Sequence, residues 1–299
     1  MSNKHSKLKK HGAATPYIMM LPYLLLILSF PICVYNILIQ SFGIVPGVSS
    51  SHLSLGVLAN AFNDSRITTG IVLSLYIAFA STIPALIFGT IFAWVIVTLK
   101  QETILGGIIA KLPQLIPQAV GCVVIVNMFL PSGLLARGLM ALGFENASNW
   151  FMQILYFPNS IGVILEYIWK EGPFVTFMLL PSMSGISDSY GEAAQNLGAS
   201  TLRTFLTVTL PNCMPVIRTC AIIIFVITLG SYETPALLGS PVTKAMPAIA
   251  YDFYGASNMA VNRPISMVLN LAMMVIAFVF SLAYYTYGVK KKKKRRGRY

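Results

Sequence analysis

The chain has 299 residues, 56% of them hydrophobic and only 10% charged, whereas a soluble domain carries about a quarter charged residues, so a water-soluble globular fold is excluded. Net charge is +12, yet twelve of the 21 basic residues lie in two acid-free tails, Lys4 to Lys10 and Lys290 to Arg298, and the remaining nine balance nine acids in the body. A basic run beside an apolar span holds that end of the chain in the cytoplasm and touches anionic lipid, a reading preferred here to nucleic-acid binding.

After a basic tail over 1–16, the apolar stretch 17–40 resembles a signal peptide. It runs on too far and lacks a small-residue cleavage site, so it is read as an uncleaved first span. Five further apolar stretches, 68–99, 112–130, 158–183, 213–237 and 264–288, are each long enough to cross about 30 Å of hydrocarbon. Pro22, Pro31, Pro84, Gly89, Gly121 and Pro173 fall inside these spans. Such residues are tolerated where neighbouring helices satisfy the freed backbone groups, which implies a packed bundle.

With both tails inside, sixteen basic residues fall on the inner side and four, Arg66, Arg137, Lys244 and Arg263, on the outer side; this asymmetry predicts an even number of spans. Cys33, Cys122, Cys213 and Cys220 show no metal-ligand spacing and read as small buried hydrophobes. The outer loop 131–157 is partly apolar, which suits a short helix lying along the interface.

Charged groups at membrane depth default to functional hypotheses. In the fourth span Glu166 and Lys170 stand at i and i+4, and two readings are open: they neutralise each other on one helix face, or they line a path with Glu171 left over to meet a cation. Gln114, Gln118 and Asn127 on the third span suit interhelical hydrogen bonds. Near the outer end of the fifth span Tyr232 and Glu233 lie beside Pro235, where a helix break is expected. They can contact an ammonium group there, or Glu233 can cap a helix or pair with Lys244 or Arg263.

Residues 187–211 between the fourth and fifth spans are more polar than either neighbour. Ser189 and Glu192 have capping-box spacing, so a short helix is expected to begin there, carrying Ala193, Ala194 and Leu197. Gly198 permits a turn, Ser200 or Thr201 can cap a second short helix bearing Leu202, Phe205 and Leu206, and Pro211 ends it. Such a hairpin offers an apolar face to a cytoplasmic partner, although any membrane protein can carry an amphipathic inner loop.

Glu192-Ala193-Ala194, Gly198-Ala199, Phe205 and Leu210-Pro211 resemble the EAA loop of type I ABC importer permeases. The resemblance implies that this loop inserts into a separate ATPase subunit, with Glu192, Ala193, Ala194 and Gly198 as coupling positions and Phe205 and Pro211 supporting its shape. Tyr167 to Lys170, Pro173-Phe174, Leu180-Pro181 and the run Leu229 to Gly239 are similar to the spermidine/putrescine branch, which implies a polyamine or another small charged solute. The resemblance also implies partners: cytoplasmic ATPase subunits, a second permease subunit of the same or similar kind, and an extracytoplasmic solute-binding protein.

The expected fold is therefore an all-α membrane protein of about six transmembrane helices, multi-pass in a bacterial inner membrane with both termini cytoplasmic. A permease domain over 17–288 lies between basic tails 1–16 and 289–299. No phosphate-cradling G-x-x-x-x-G-K-[ST] motif is present and the histidines His5, His11 and His52 are scattered, so no enzymatic activity or bound cofactor is expected and ATP is used by another chain. The rival reading is an ion-coupled secondary transporter, which would place coupling carboxylates deep in several spans.

Overall fold

The computed structural model describes residues 15–48, 56–100, 108 and 111–296, with side chains excepted at 15–18, 188, 189, 192 and 287–296. Lys4 to Lys10, and the side chains of Lys290 to Lys294 and of the capping-box pair Ser189 and Glu192, lie outside the described residues. Fourteen α-helices and no strand occur among those described.

In chain order these are α1 (Thr15–Ser41), α2 (Gly56–Asn63), α3 (Ser65–Thr98), α4 (Leu112–Leu115), α5 (Gln118–Phe129), α6 (Leu134–Ala141) and α7 (Ala147–Trp150). They are followed by α8 (Ile161–Ile186), α9 (Glu192–Asn196), α10 (Thr201–Thr204), α11 (Leu210–Gly230), α12 (Glu233–Leu238), α13 (Met246–Gly255) and α14 (Met259–Arg296).

Among the described residues five stretches are long and apolar enough to cross a membrane: Met19–Ser41, Ser65–Thr98, Gln118–Ala141, Thr201–Gly230 and Met259–Thr286. The expected fourth span is α8, 26 residues long and thus about 39 Å from end to end. Glu166, Lys170 and Glu171 keep it out of a count made on apolarity. Its length and central position nevertheless match the expectation for that segment.

The core forms where α3, α8 and α11 meet, because small residues let the backbones approach. A Cβ at Gly89 would stand 2.6 Å from Val175 Cβ, so only glycine fits there. Thr176 Oγ1 donates to the Gly89 carbonyl across the same contact at 3.0 Å. Around it Ala85, Ala93, Ile96, Leu179, Cys213 and Cys220 are buried. On the far side of α11, Phe225 stacks on Phe280 of α14 at 3.7 Å between centroids.

The three buried cysteines are the small hydrophobes the sequence suggested, whereas Cys33 is exposed. It sits on α1, which packs on α14 and otherwise turns large apolar side chains such as Leu25, Phe30 and Tyr35 outward. A helix apolar on all sides yet exposed on most of them has lipid or another membrane protein as its solvent.

Two expected boundaries move. The third span is broken into α4 and α5 at Ile116-Pro117, since Pro117 lacks the N–H that would continue the ladder. The fifth span ends at Gly230, ahead of Pro235, and Pro235 lies inside α12. Residues 233–237 therefore belong to a separate short helix at the end of the bundle.

Candidate functional site

The segment 187–211 folds as a hairpin, though not from two freestanding helices. A π-helical turn, Ser187–Gly191, carries α8 on into α9, and Gly191 itself is helical (φ −67°, ψ −46°). A second π-helical turn, Phe205–Thr209, joins α10 to α11. No new helix starts at Ser189, and Pro211 ends nothing: it stands in the first turn of α11. The wide turn before it supplies the slack that a proline without an N–H requires.

At the tip Gly198 has φ +86°, a left-handed conformation that closes a helix C-terminus and that glycine adopts without steric cost. Its N–H donates to the Gln195 carbonyl at 2.8 Å, and Ala199 N–H reaches the Ala194 carbonyl at 3.1 Å. Ser200 then caps α10, its side chain accepting from Arg203 N–H at 3.4 Å.

Around this turn Leu197 is 90% exposed, and Tyr190, Leu202 and Leu206 also point outward. Phe205, carried on the second short helix with Leu202 and Leu206 and assigned to support the loop's shape, faces inward: it is buried against Trp94 of α3, with ring centroids 4.7 Å apart. Ala193 is exposed and Ala194 half-buried. Behind the hairpin lies a cavity of about 400 Å³ bordered by Trp94, Lys100, Met183, Gln195 and Phe205.

Such an arrangement can act as a handle. Its tip presents clustered apolar side chains that call for a covering partner. Its two limbs continue without interruption into α8 and α11, so displacement at the tip is carried into both spans.

A second polar site lies within the bundle. Glu166, fully buried on α8, accepts from Gln118 Nε2 of α5 at 2.9 Å and from Thr234 Oγ1 of α12 at 3.3 Å. Gln118 uses its other N–H on Thr234 Oγ1 at 2.8 Å, which closes a triangle across three helices. Gly121 makes room for it, since a Cβ there would stand 3.1 Å from Glu166 Oε1.

Glu166 and Lys170 do not form an ion pair; among the described residues the ion pairs are Arg66–Asp64 and Lys244–Asp252. Lys170 Nζ instead donates to the Ile116 carbonyl at 3.1 Å, beside the Pro117 break, and Gln114 Nε2 donates to the Lys170 carbonyl at 2.6 Å. Of the three polar residues expected to bridge helices, Gln114 and Gln118 do so, whereas Asn127 bonds within its own helix to Val123. Glu171 is 7% exposed on α8.

At the opposite end of α11, Tyr232 and Glu233 part company. Tyr232 stacks against Tyr251, with centroids 4.6 Å apart, and separates two cavities of about 350 Å³ each. Glu233 is exposed in the first turn of α12 and borders neither cavity. The partners considered for it are otherwise engaged: Lys244 Nζ lies 2.6 Å from Asp252, and the Arg263 guanidinium lies 4.8 Å over the Tyr254 ring.

Thr234 and the Gln118–Glu166–Thr234 triangle were not legible in the sequence. Its members stand 48 and 68 residues apart, so no local spacing could reveal them. The usable signals were Glu166 and Gln118, a carboxylate and an amide inside apolar runs.

Residues 52–294 match the family model described as the binding-protein-dependent transport system inner membrane component. A probable sulfate transport system permease protein of Prototheca wickerhamii is 27% identical over 204 residues, covering 64% of this chain and 74% of the relative. The sulfate transport system permease protein of Salmonella typhimurium is 23% identical over 184 residues, 61% of this chain and 62% of the relative. The molybdenum transport system permease protein of Escherichia coli K12 is 24% identical over 216 residues, 71% and 90% respectively.

Among solved structures, a chain of a bacterial alginate ABC transporter, crystallised in complex with an alginate pentasaccharide-bound periplasmic protein, superposes with a TM-score of 0.74 at 20% identity, covering 90% of this chain and 91% of that one. The likeness shows a shared fold. The sulfate and molybdenum relatives bear out the wide family resemblance but give no support to the spermidine/putrescine branch that residues 167–181 and 229–239 suggested.

Proposed function

The chain belongs to the family of binding-protein-dependent transport system inner membrane components, a family of transport subunits rather than enzymes, and from that premise we propose that it is the solute-conducting permease of an ATP-driven importer. In this reading two such subunits, identical or similar, surround a path; separate ATPase subunits grip the hairpins, and an extracytoplasmic binding protein delivers solute to the opposite end.

One observation carries the coupling assignment. The hairpin exposes Leu197, Leu202 and Leu206 while Phe205 is locked against Trp94, and its limbs run unbroken into α8 and α11. A partner that engages the exposed leucines therefore moves two spans at once. The sixteen-to-four distribution of basic residues supports a cytoplasmic placement of the hairpin and of both termini.

For the solute, the named relatives favour a small oxyanion over a polyamine. Tyr232 and Glu233, the pair that would have suited an ammonium group, do not share a cavity.

Co-purification of the tagged full-length chain with a candidate ATPase subunit co-expressed with it tests the assignment. A stable complex with ATP-dependent uptake is expected. An intact complex and unchanged uptake after Gly198→Val would remove the hairpin from the coupling role.

A further inference from the structure

At the end of the bundle away from the hairpin, α13, α14 and the helix break after α11 border an open cavity of about 350 Å³. Tyr232, Tyr251 and Tyr254 form one wall, and Ser266, Met267 and Asn270 of α14 form another. Arg263 precedes Ser266 and Met267 by one helical turn, so it shares their face of α14, and its guanidinium packs on the ring of Tyr254, which lines the cavity.

Arg263 is unusual among the cations of this chain. Its guanidinium lies 4.8 Å over the Tyr254 ring, yet its Nε is buried and meets no hydrogen-bond acceptor. It takes part in neither of the ion pairs among the described residues. A guanidinium packed on a ring, with a donor that no protein acceptor answers, is suited to an anionic partner, because leaving such a donor unmade is costly.

The surroundings agree. None of the three tyrosine hydroxyls makes a hydrogen bond among the described residues, so each is available as a donor. The nearest acid in sequence, Asp252, is already neutralised by Lys244 at 2.6 Å, and Glu233 does not line the cavity. Asn270 Nδ2 spends one N–H on the Ser266 carbonyl at 3.0 Å and retains a second. Ser266 Oγ is committed to the Ala250 carbonyl at 2.7 Å, which ties α14 to α13 and holds the cavity's walls together.

We infer that the cavity of Tyr232, Tyr251, Tyr254 and Asn270, with Arg263 packed on Tyr254, is a transit site that binds a small oxyanion on its way through the permease. This rests on the permease reading and adds the site and the charge of its cargo. Arg263 supplies the charge, and the tyrosine hydroxyls supply neutral donors that bind without trapping the ion.

The test uses the complete importer, with its ATPase and binding protein, reconstituted in liposomes and supplied in parallel with radiolabelled sulfate and molybdate. Wild type is expected to take up at least one of them in an ATP-dependent manner. Arg263→Gln should lower that uptake by about tenfold, the scale of one charge-assisted hydrogen bond. Arg263→Lys should recover part of it, and Tyr254→Phe, which keeps the ring, should recover more than Tyr254→Leu. The amount of assembled complex should be unchanged in all four variants.

Unaltered uptake in Arg263→Gln overturns the site. Transport of neither oxyanion by an importer that hydrolyses ATP and moves some cation also overturns it, while leaving the permease reading intact. Failure to assemble with any ATPase defeats that reading instead. Repeating the assay in liposomes of phosphatidylcholine alone separates cargo from lipid: if the Arg263→Gln defect disappears there, the arginine holds an anionic headgroup and the transit site is refuted.

Discussion

Trp94 of α3 and Phe205 of the hairpin stack with their ring centroids 4.7 Å apart and their planes 27° from parallel. Among the described residues this is the one aromatic contact that fastens the hairpin to a helix other than the two it continues. Offset aromatic pairs contribute about 0.5–1.5 kcal/mol beyond their buried area, enough to decide whether the handle is rigid. Truncating Phe205→Ala should cost about 3–5 kcal/mol locally, as large core truncations do. The expected result is faster proteolysis within residues 187–211 and loss of coupled transport, with Phe205→Leu much milder.

Gly198 isolates a backbone effect. Nothing lies within 4 Å of a Cβ placed there, so a side chain meets no clash and the penalty comes from φ +86° alone. Left-handed backbone costs an ordinary residue roughly 1–2 kcal/mol and a β-branched one more. Uptake should therefore fall in the order Gly198, Asn, Ala, Val. An equal response to all three substitutions would show that the left-handed conformation does not set the penalty.

Gly89 makes the opposite case. A Cβ there would press to 2.6 Å from Val175 Cβ, with the Gly172 carbonyl also in the way, and α3 and α8 would have to separate. Overpacking of this kind costs typically 1–3 kcal/mol and more against backbone. Gly89→Ala should lower the detergent-solubilised melting temperature, and Gly89→Val should prevent recovery of folded protein.

The Glu166 triangle discriminates charge from hydrogen bonding. Gln at 166 still offers a carbonyl to Gln118, whereas Ala leaves Gln118 and Thr234 with unanswered donors in a dry interior, a loss of about 1–3 kcal/mol each. Glu166→Gln should fold with near-normal thermal stability and Glu166→Ala should not. Equal stability of the two would remove the triangle from the forces that hold α12 to α5 and α8.

Asp64 caps α3, accepting from Arg66 N–H at 2.8 Å and from the guanidinium at 2.7 Å. The Arg66 side-chain hydrogen bonds hold its carboxyl below the ordinary aspartate value. A group depressed in this way adds stability above its unfolded-state value and loses it as pH falls through the folded one. Asp64→Ala should cost about 0.5–2 kcal/mol as a lost cap, and in a thermal melt the difference between the two proteins should shrink at low pH.

The spans and the hairpin were legible in the sequence for different reasons. Apolar runs longer than the hydrocarbon is thick announce helices whatever packs around them. Gly198 and Ser200 announce a turn and a cap because those conformations are chemically selective, and both appear as expected. The continuity of the hairpin with α8 and α11 was not legible, because polar composition and Pro211 suggested interruptions that two π-helical turns absorb.

By itself, then, the sequence determined an all-helical membrane bundle with an apolar-tipped hairpin, since those follow from hydropathy and local backbone chemistry. Only the tertiary structure decided which polar groups answer one another. Glu166 turns from its i+4 neighbour Lys170 to Gln118 and Thr234, Phe205 packs against Trp94, and the Arg263 guanidinium lies over the Tyr254 ring. Each outcome depends on residues brought together from distant parts of the chain. The low dielectric between packed helices makes such pairings decisive, and no spacing within a single helix encodes them.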